Sequence, residues 1–301
     1  MTAPAGADAK PEDGLGLDLL LLIAVQALWG LNWIFSKLAL AELPPLTLIV
    51  LRCASVFILF LPWMRWHPGL MKRIGLVTMT SGALNFGLGF VALTMAHDIA
   101  PLALTGNLAI PFATILSAIF LGDRIGIWRG GALVVAFMGV LFLSFDPRIF
   151  SYWSAMLVNM LAAFAWAVGA IFMRHMKDIK PVDMQGWIAL GTVVPVGIAA
   201  ALTEPTALES IRTASSTTWW SLAYIVFCGT VIGHVGFNTL VQRHPIPRLA
   251  PFLLLAPVIA SVSGVVLLGD SWSWRLIAGG ALILSGVLVI ALREGRKKVA
   301  A

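Results

Sequence analysis

Ten stretches of roughly twenty apolar residues follow one another through almost the whole chain, and few folds are open to such a sequence. They run over 18–41, 45–64, 72–96, 100–121, 127–145, 151–174, 184–203, 219–242, 247–268 and 273–292. A bilayer core is about 30 Å thick, which a helix crosses in about 20 residues. Inside it every backbone N–H and C=O must be paired within the segment, so each run is expected to be a helix. With 59% hydrophobic and 11% charged residues, against about 25% charged in soluble domains, no water-soluble core accounts for the chain. The connections are short, and the longest, 204–218, is too small for a domain. Residues 1–17 hold Pro4, Pro11 and a single cation, Lys10, which does not suit a cleaved signal. Cys53 and Cys228 lie inside apolar runs without metal-ligand or CxxC spacing and read as small buried hydrophobes.

The formal net charge of +6 reflects topology. Fifteen of the twenty Lys and Arg fall on one alternating set of connections, from Lys10 and Arg65 to Lys298, and only Arg148, Arg212 and Arg275 on the other. The positive-inside rule then places both termini in the cytoplasm. Trp63, Trp66, Trp128, Trp153, Trp187, Trp219, Trp220, Trp272 and Trp274 fall at segment ends, as interfacial rings do. Trp29, Trp33 and Trp166 lie at mid-membrane depth instead.

One segment occurs twice. Residues 100–123 and 247–270 each carry a proline near the middle, Pro111 and Pro257, and each closes on Gly-Asp, Gly122-Asp123 and Gly269-Asp270. Sliding 86–142 by 147 positions gives 16 identities in 57, where chance gives roughly 5, so the halves are internally similar. Gly139 pairs with Gly286 in that register, and a separate shift of 137 pairs Trp29 with Trp166 and Lys37 with Arg174. Five segments per half is an odd number, so the second half is expected to cross the bilayer in the opposite sense. The expected fold is an all-α membrane protein of ten transmembrane helices in two inverted five-helix repeats around a central cavity. Its parts are a cytoplasmic tail (1–17), the repeats 18–146 and 151–293, and a basic tail (294–301).

The motif Trp29-Gly30-Leu31-Asn32-Trp33, the pair Pro44-Pro45 followed by Arg52, and the paired Gly-Asp endings resemble the drug/metabolite transporter superfamily, in its EamA-like ten-helix branch. The resemblance covers about 17–293 and is greatest to bacterial inner-membrane exporters of amino acids and related metabolites, notably the aromatic amino acid exporters. It implies a cavity lined mainly by helices 1, 3, 4, 6, 8 and 9.

Polar groups at membrane depth are functional candidates, with helix-to-helix hydrogen bonding as the alternative role. The eighth segment carries Thr230, His234, Asn238 and Gln242 at intervals of four, on one slowly drifting face. His234 and Asn238 are expected in the cavity and Gln242 at the interface. The first segment joins Trp29, Asn32, Trp33 and Ser36, and Trp166 supplies a matching wall. Such faces stack on aromatic substrates or attract an ammonium group. Asn85 and Asn107 complete the set. Pro111 and Pro257 are expected to be hinges that free the carbonyls of Asn107 and Leu253. Arg52 could hold a substrate carboxylate, although a snorkelling or structural role is favoured for it.

No Asp or Glu sits at mid-depth and His234 is the only central titratable group, which favours little or no direct ion coupling, with a proton-linked mode as the lesser alternative. No Walker motif is present, so ATP is not expected to be a partner. The chain therefore reads as a monomeric secondary transporter exporting apolar or aromatic amino acids, with no cofactor, metal or nucleic acid. Another small metabolite or an organic cation is the alternative cargo. A membrane-embedded enzyme is the remote alternative, since His97, Asp98 and His244 lack catalytic partners.

Overall fold

A computed structural model describes residues 14–95, 105–144, 153–269 and 274–299, and all regular structure among them is helical. The long helices are α1 (Gly14–Leu40), α2 (Pro45–Phe60), α3 (71–95), α4 (Ala109–Leu121) and α5 (Ile127–Ser144), then α6 (Trp153–Arg174), α7 (Pro181–Thr203), α8 (Ser216–Arg243), α9 (Ile246–Leu268) and α10 (Trp274–Val299). A short helix, Ala207–Thr213, lies between α7 and α8. Among the described residues six helices are long and apolar enough to cross a membrane: Leu17–Leu40, Pro45–Trp63, Trp153–Arg174, Pro181–Thr203, Ser216–Arg243 and Ile246–Leu268. Ala109–Leu121, Ile127–Phe142 and Ile277–Val289 are shorter apolar helices. The outer surface is apolar too, with Leu20, Ile58, Phe120, Leu202, Val266 and Leu288 exposed. In water such a surface would be a liability, whereas against lipid tails it is the solvated face. The chain is a multi-pass membrane protein.

Local chemistry sets the helix ends. Pro45 and Pro181 occupy first positions, where a missing N–H costs nothing. Gly122 and Gly269 close α4 and α9 at φ 65° and 72°, a left-handed conformation that glycine adopts without a Cβ clash. Pro111 and Pro257 correct the sequence expectation. Each is the third residue of a helical stretch, Ala109–Leu121 and Leu255–Leu268, so each lies in a first turn where proline is tolerated. The chain breaks just before them, at 107–108 and at Leu254. The Asn107 carbonyl is not free, because it accepts from the Ile110 N–H at 3.2 Å.

α1 packs on α8 and α9, and α6 packs on α3 and α4. α2 lies against α7, and α5 against α10. The α5–α10 crossing is glycine-dependent on both sides. A Cβ on Gly139 would stand 2.6 Å from the Gly279 carbonyl oxygen and 2.7 Å from Ile283 Cγ1. A Cβ on Gly286 would stand 2.6 Å from the Ala132 carbonyl oxygen and 3.0 Å from Ala136 Cβ.

Polar contacts tie the halves at both ends. Glu204, at the end of α7, caps α2 by accepting from the Leu46 and Thr47 N–H groups, each at 2.8 Å. Glu42, just after α1, accepts from the Ser215 N–H at 2.7 Å and the Thr218 hydroxyl at 2.8 Å. Anions at helix N-termini are favoured by the unsatisfied N–H groups there. The Ser215 N–H and then the Thr218 hydroxyl hold the Glu42 carboxyl below its ordinary 4.5. A carboxyl whose pKa is lower folded than unfolded stabilises the fold above the unfolded value, and loses that stabilisation as pH falls through the folded one. The melting temperature in detergent is therefore expected to drop as pH is lowered below 4.5. Glu42→Gln should make that drop shallower, and an unchanged slope would remove Glu42 from the explanation.

At the opposite end Asp18 pairs with Arg243 at 2.9 Å and His244 at 2.7 Å, and Asp183 with His67 at 2.6 Å. Arg174 closes the end of α6 onto α8 and α4. It donates to the carbonyls of Val241 and His244 and lies 3.7 Å from Asp123.

Candidate substrate cavity

Two helices lose their regular winding where they approach the centre. Residues 78–84 of α3 and 225–234 of α8 are π-helical, a geometry frequent at functional sites. The wider turn brings residues five apart into contact. Thr230 Oγ1 donates to the Ile225 carbonyl at 3.0 Å, and His234 Nδ1 lies 3.0 Å from the Gly229 carbonyl oxygen.

Between these segments is a cavity of about 50 Å³ whose wall comes from six helices. Trp29 is on α1, Arg52 on α2, Ser81, Asn85 and Phe86 on α3, Trp166 on α6, Gln185 on α7, and Thr230, His234, Phe237 and Asn238 on α8. α2 and α7 thus supply wall where the resemblance implied α4 and α9. A space of this size holds a few waters, so a larger molecule enters only as the helices separate.

One side is aromatic. Phe237 stacks on Trp166 at 5.6 Å and 21° and meets Trp29 at 5.3 Å, and Trp29 touches the His234 ring at 5.1 Å. The Trp29 Nε1–H donates to the Gly229 carbonyl at 3.1 Å, so its indole is satisfied and its position fixed. The other side is polar. Asn238 Nδ2 donates to Gln185 Oε1 at 3.3 Å, and Arg52 Nε donates to Thr230 Oγ1 at 2.8 Å. The Arg52 guanidinium lies 5.7 Å from the Phe86 ring centre. Among the described residues no Asp or Glu lines this space, and no group of His, Cys, Asp and Glu is placed to hold a metal.

Five of the sequence candidates meet here: Trp29, Asn85, Trp166, His234 and Asn238. Trp33 does not. Its side chain is 54% exposed, and its neighbour Ile34, about 100° further round the helix, is the one that is buried. Asn32 is also outside the wall. Its Nδ2 reaches Ser36 Oγ at 3.4 Å and its Oδ1 lies against Gly229, where a Cβ would be only 2.2 Å away. Asn107, Pro111 and Pro257 do not line the cavity either. Gln242 sits where expected, at the end of α8, donating to the Met176 and Ile179 carbonyls at 3.1 Å each.

Ser81, Phe86, Thr230 and Phe237 line the wall without having been in the binding set, and so do Arg52 and Gln185, the two whose side chains reach across to α8. For Arg52 the signal was available, since a cation inside a span is a functional candidate by default. Gln185 stands two residues from Asp183, near a helix start, and nothing local separates it from an interfacial residue.

The sequence profile of the EamA-like transporter family matches this chain over residues 17–145 and again over 153–292. The chain belongs to the EamA-like transporter family. A Salmonella typhimurium protein described as a probable amino-acid metabolite efflux pump is 30% identical over 90% of this EamA-like chain and 94% of its own length. A protein of the same description from Escherichia coli matches to the same extent. YvbV, an uncharacterized transporter of Bacillus subtilis, is 26% identical over 94% of each chain. A solved crystal structure 19% identical in sequence superposes with a TM-score of 0.77, over 93% of this EamA-like transporter and 98% of that chain, and so has the same fold.

Proposed function

We propose that this transporter exports amino acids with apolar or aromatic side chains across the bacterial inner membrane. It works by alternating access of two inverted five-helix repeats, as a monomer with both termini cytoplasmic. The observation that carries the reading is a central cavity built by the same three helices of each half, α1–α3 and α6–α8. It is lined by aromatic rings on one side and hydrogen-bonding groups on the other. Trp29, Asn85, Trp166, His234 and Asn238 are the proposed contacts, and the breaks before Pro111 and Pro257 the proposed flexing points.

The packing supports the two-fold reading. Adding five to each helix number turns the α1–α8 and α1–α9 pairs into α6–α3 and α6–α4, and leaves α2–α7 and α5–α10 as they are. Shifting Gly139 and its two contacts by 147 residues converts them into Gly286 and its two contacts. The twice-matching family profile and the relatives' description as amino-acid metabolite efflux pumps support it further.

Efflux from vesicles containing the purified protein tests the reading. Preloaded phenylalanine, tryptophan, methionine or threonine should leave down its gradient faster than from empty vesicles. If none of the four moves, the amino-acid reading falls. With no carboxylate in the wall, a pH gradient should leave the rate unchanged.

A further inference from the structure

We infer that Arg52 is a specificity-determining residue of this cavity and selects substrates that carry a free carboxylate. The inference rests on the reading of the cavity as the transport site. Arg52 projects from α2 into the wall, with Nε donating to Thr230 Oγ1 at 2.8 Å and the guanidinium against Phe86. Thr230 spends its own proton on the Ile225 carbonyl, so its oxygen is left to accept from Arg52. These contacts use one of the five guanidinium N–H donors. The remaining four, on the two Nη atoms, form no hydrogen bond or ion pair with any described residue.

Arginine keeps its charge under any condition the protein meets. Around it the cavity offers Ser81, Asn85, Gln185, Thr230 and His234, none of them an anion at neutral pH. A guanidinium at membrane depth without a counter-charge is expensive to maintain. A carboxylate on the substrate supplies that charge and matches the planar pair of Nη groups in a two-pronged bond. The same fixed charge repels an organic cation. The wall holds no carboxylate to receive a substrate's ammonium, so the carboxyl end of an amino acid is the end the cavity can recognise strongly. The class selected is amino acids and related monocarboxylates, to the exclusion of their amides, esters and decarboxylated amines.

The test compares phenylalanine with phenylalanine amide and phenethylamine on the unmodified protein. Binding is read as thermal stabilisation in detergent, and transport as competition against labelled phenylalanine in vesicles. The amide and the amine are expected to act roughly 10- to 100-fold more weakly than the amino acid, the loss of a charge-assisted hydrogen bond. Arg52→Gln should abolish the difference between phenylalanine and the amide. If that variant does not fold, the series on the unmodified protein still decides. Equal action of all three compounds overturns the inference and leaves amino-acid export standing. Selective binding of carboxylates without movement of any amino acid overturns export and leaves the role of Arg52 standing.

Discussion

Replacing Gly139 with leucine is expected to abolish the folded transporter. Gly139 sits where α5 crosses α10, and besides Ile283 Cγ1 a side chain would strike the backbone of the partner helix, the Gly279 carbonyl oxygen at 2.6 Å and the Ile283 nitrogen at 2.9 Å. A backbone inside a packed helix cannot swing aside as a side chain can, so the helices must separate. Overpacking typically costs about 1–3 kcal/mol, which is the expected effect of alanine here. Leucine adds three further carbons to the same crossing and should leave no monodisperse species in detergent. Gly286→Leu should do the same from the other side, because its Cβ meets the Ala132 carbonyl oxygen at 2.6 Å. Gly75→Ala is the control. That glycine lies in the first turns of α3, and an added Cβ would meet nothing within 4 Å. Alanine there should be neutral or stabilise by up to about 1 kcal/mol through helix propensity. Elution and melting of Gly139→Leu like the unmodified protein would refute the close crossing.

Trp166→Ala is expected to reduce the proposed amino-acid efflux by roughly tenfold or more, the scale of losing an aromatic anchor. Trp166 stacks on Phe237, which in turn meets Trp29, so the one ring supports the whole aromatic wall. Its removal both widens the cavity and lets Phe237 turn into the space. Trp166→Phe keeps a ring to stack on Phe237 and should retain most of the stability while losing part of the transport. Trp33→Ala should leave efflux unchanged, since that side chain points outward from α1. Equal losses in Trp33→Ala and Trp166→Ala would place the substrate somewhere other than this cavity.

Membrane class, helices and the internal similarity between the halves are all written in the linear order of residues. Membrane crossing depends on length and apolarity, which are summed along a segment and need no knowledge of neighbours. Helix ends depend on single residues, so Gly122 and Gly269 announced theirs before any packing was known. The shift of 147 residues that relates Gly139 to Gly286 was likewise legible as identities.

Which faces meet is settled by packing alone. In lipid the outer and inner faces of a helix are both apolar, so hydropathy does not mark the buried side as it does in water. Trp29 and Trp33 look alike in sequence, and the packing of α1 on α8 separates them into a cavity residue and a surface residue. Arg52 meets Thr230 across 178 positions, and Gln185 meets Asn238 across 53. Each pairing brings together residues on different helices, and no periodicity within either helix encodes it. The prolines show the same division. Their presence near Asn107 and Leu254 was plain in the sequence, but whether they bend a helix or begin one depends on where the preceding turn stops, and that is set by the helices packed around it.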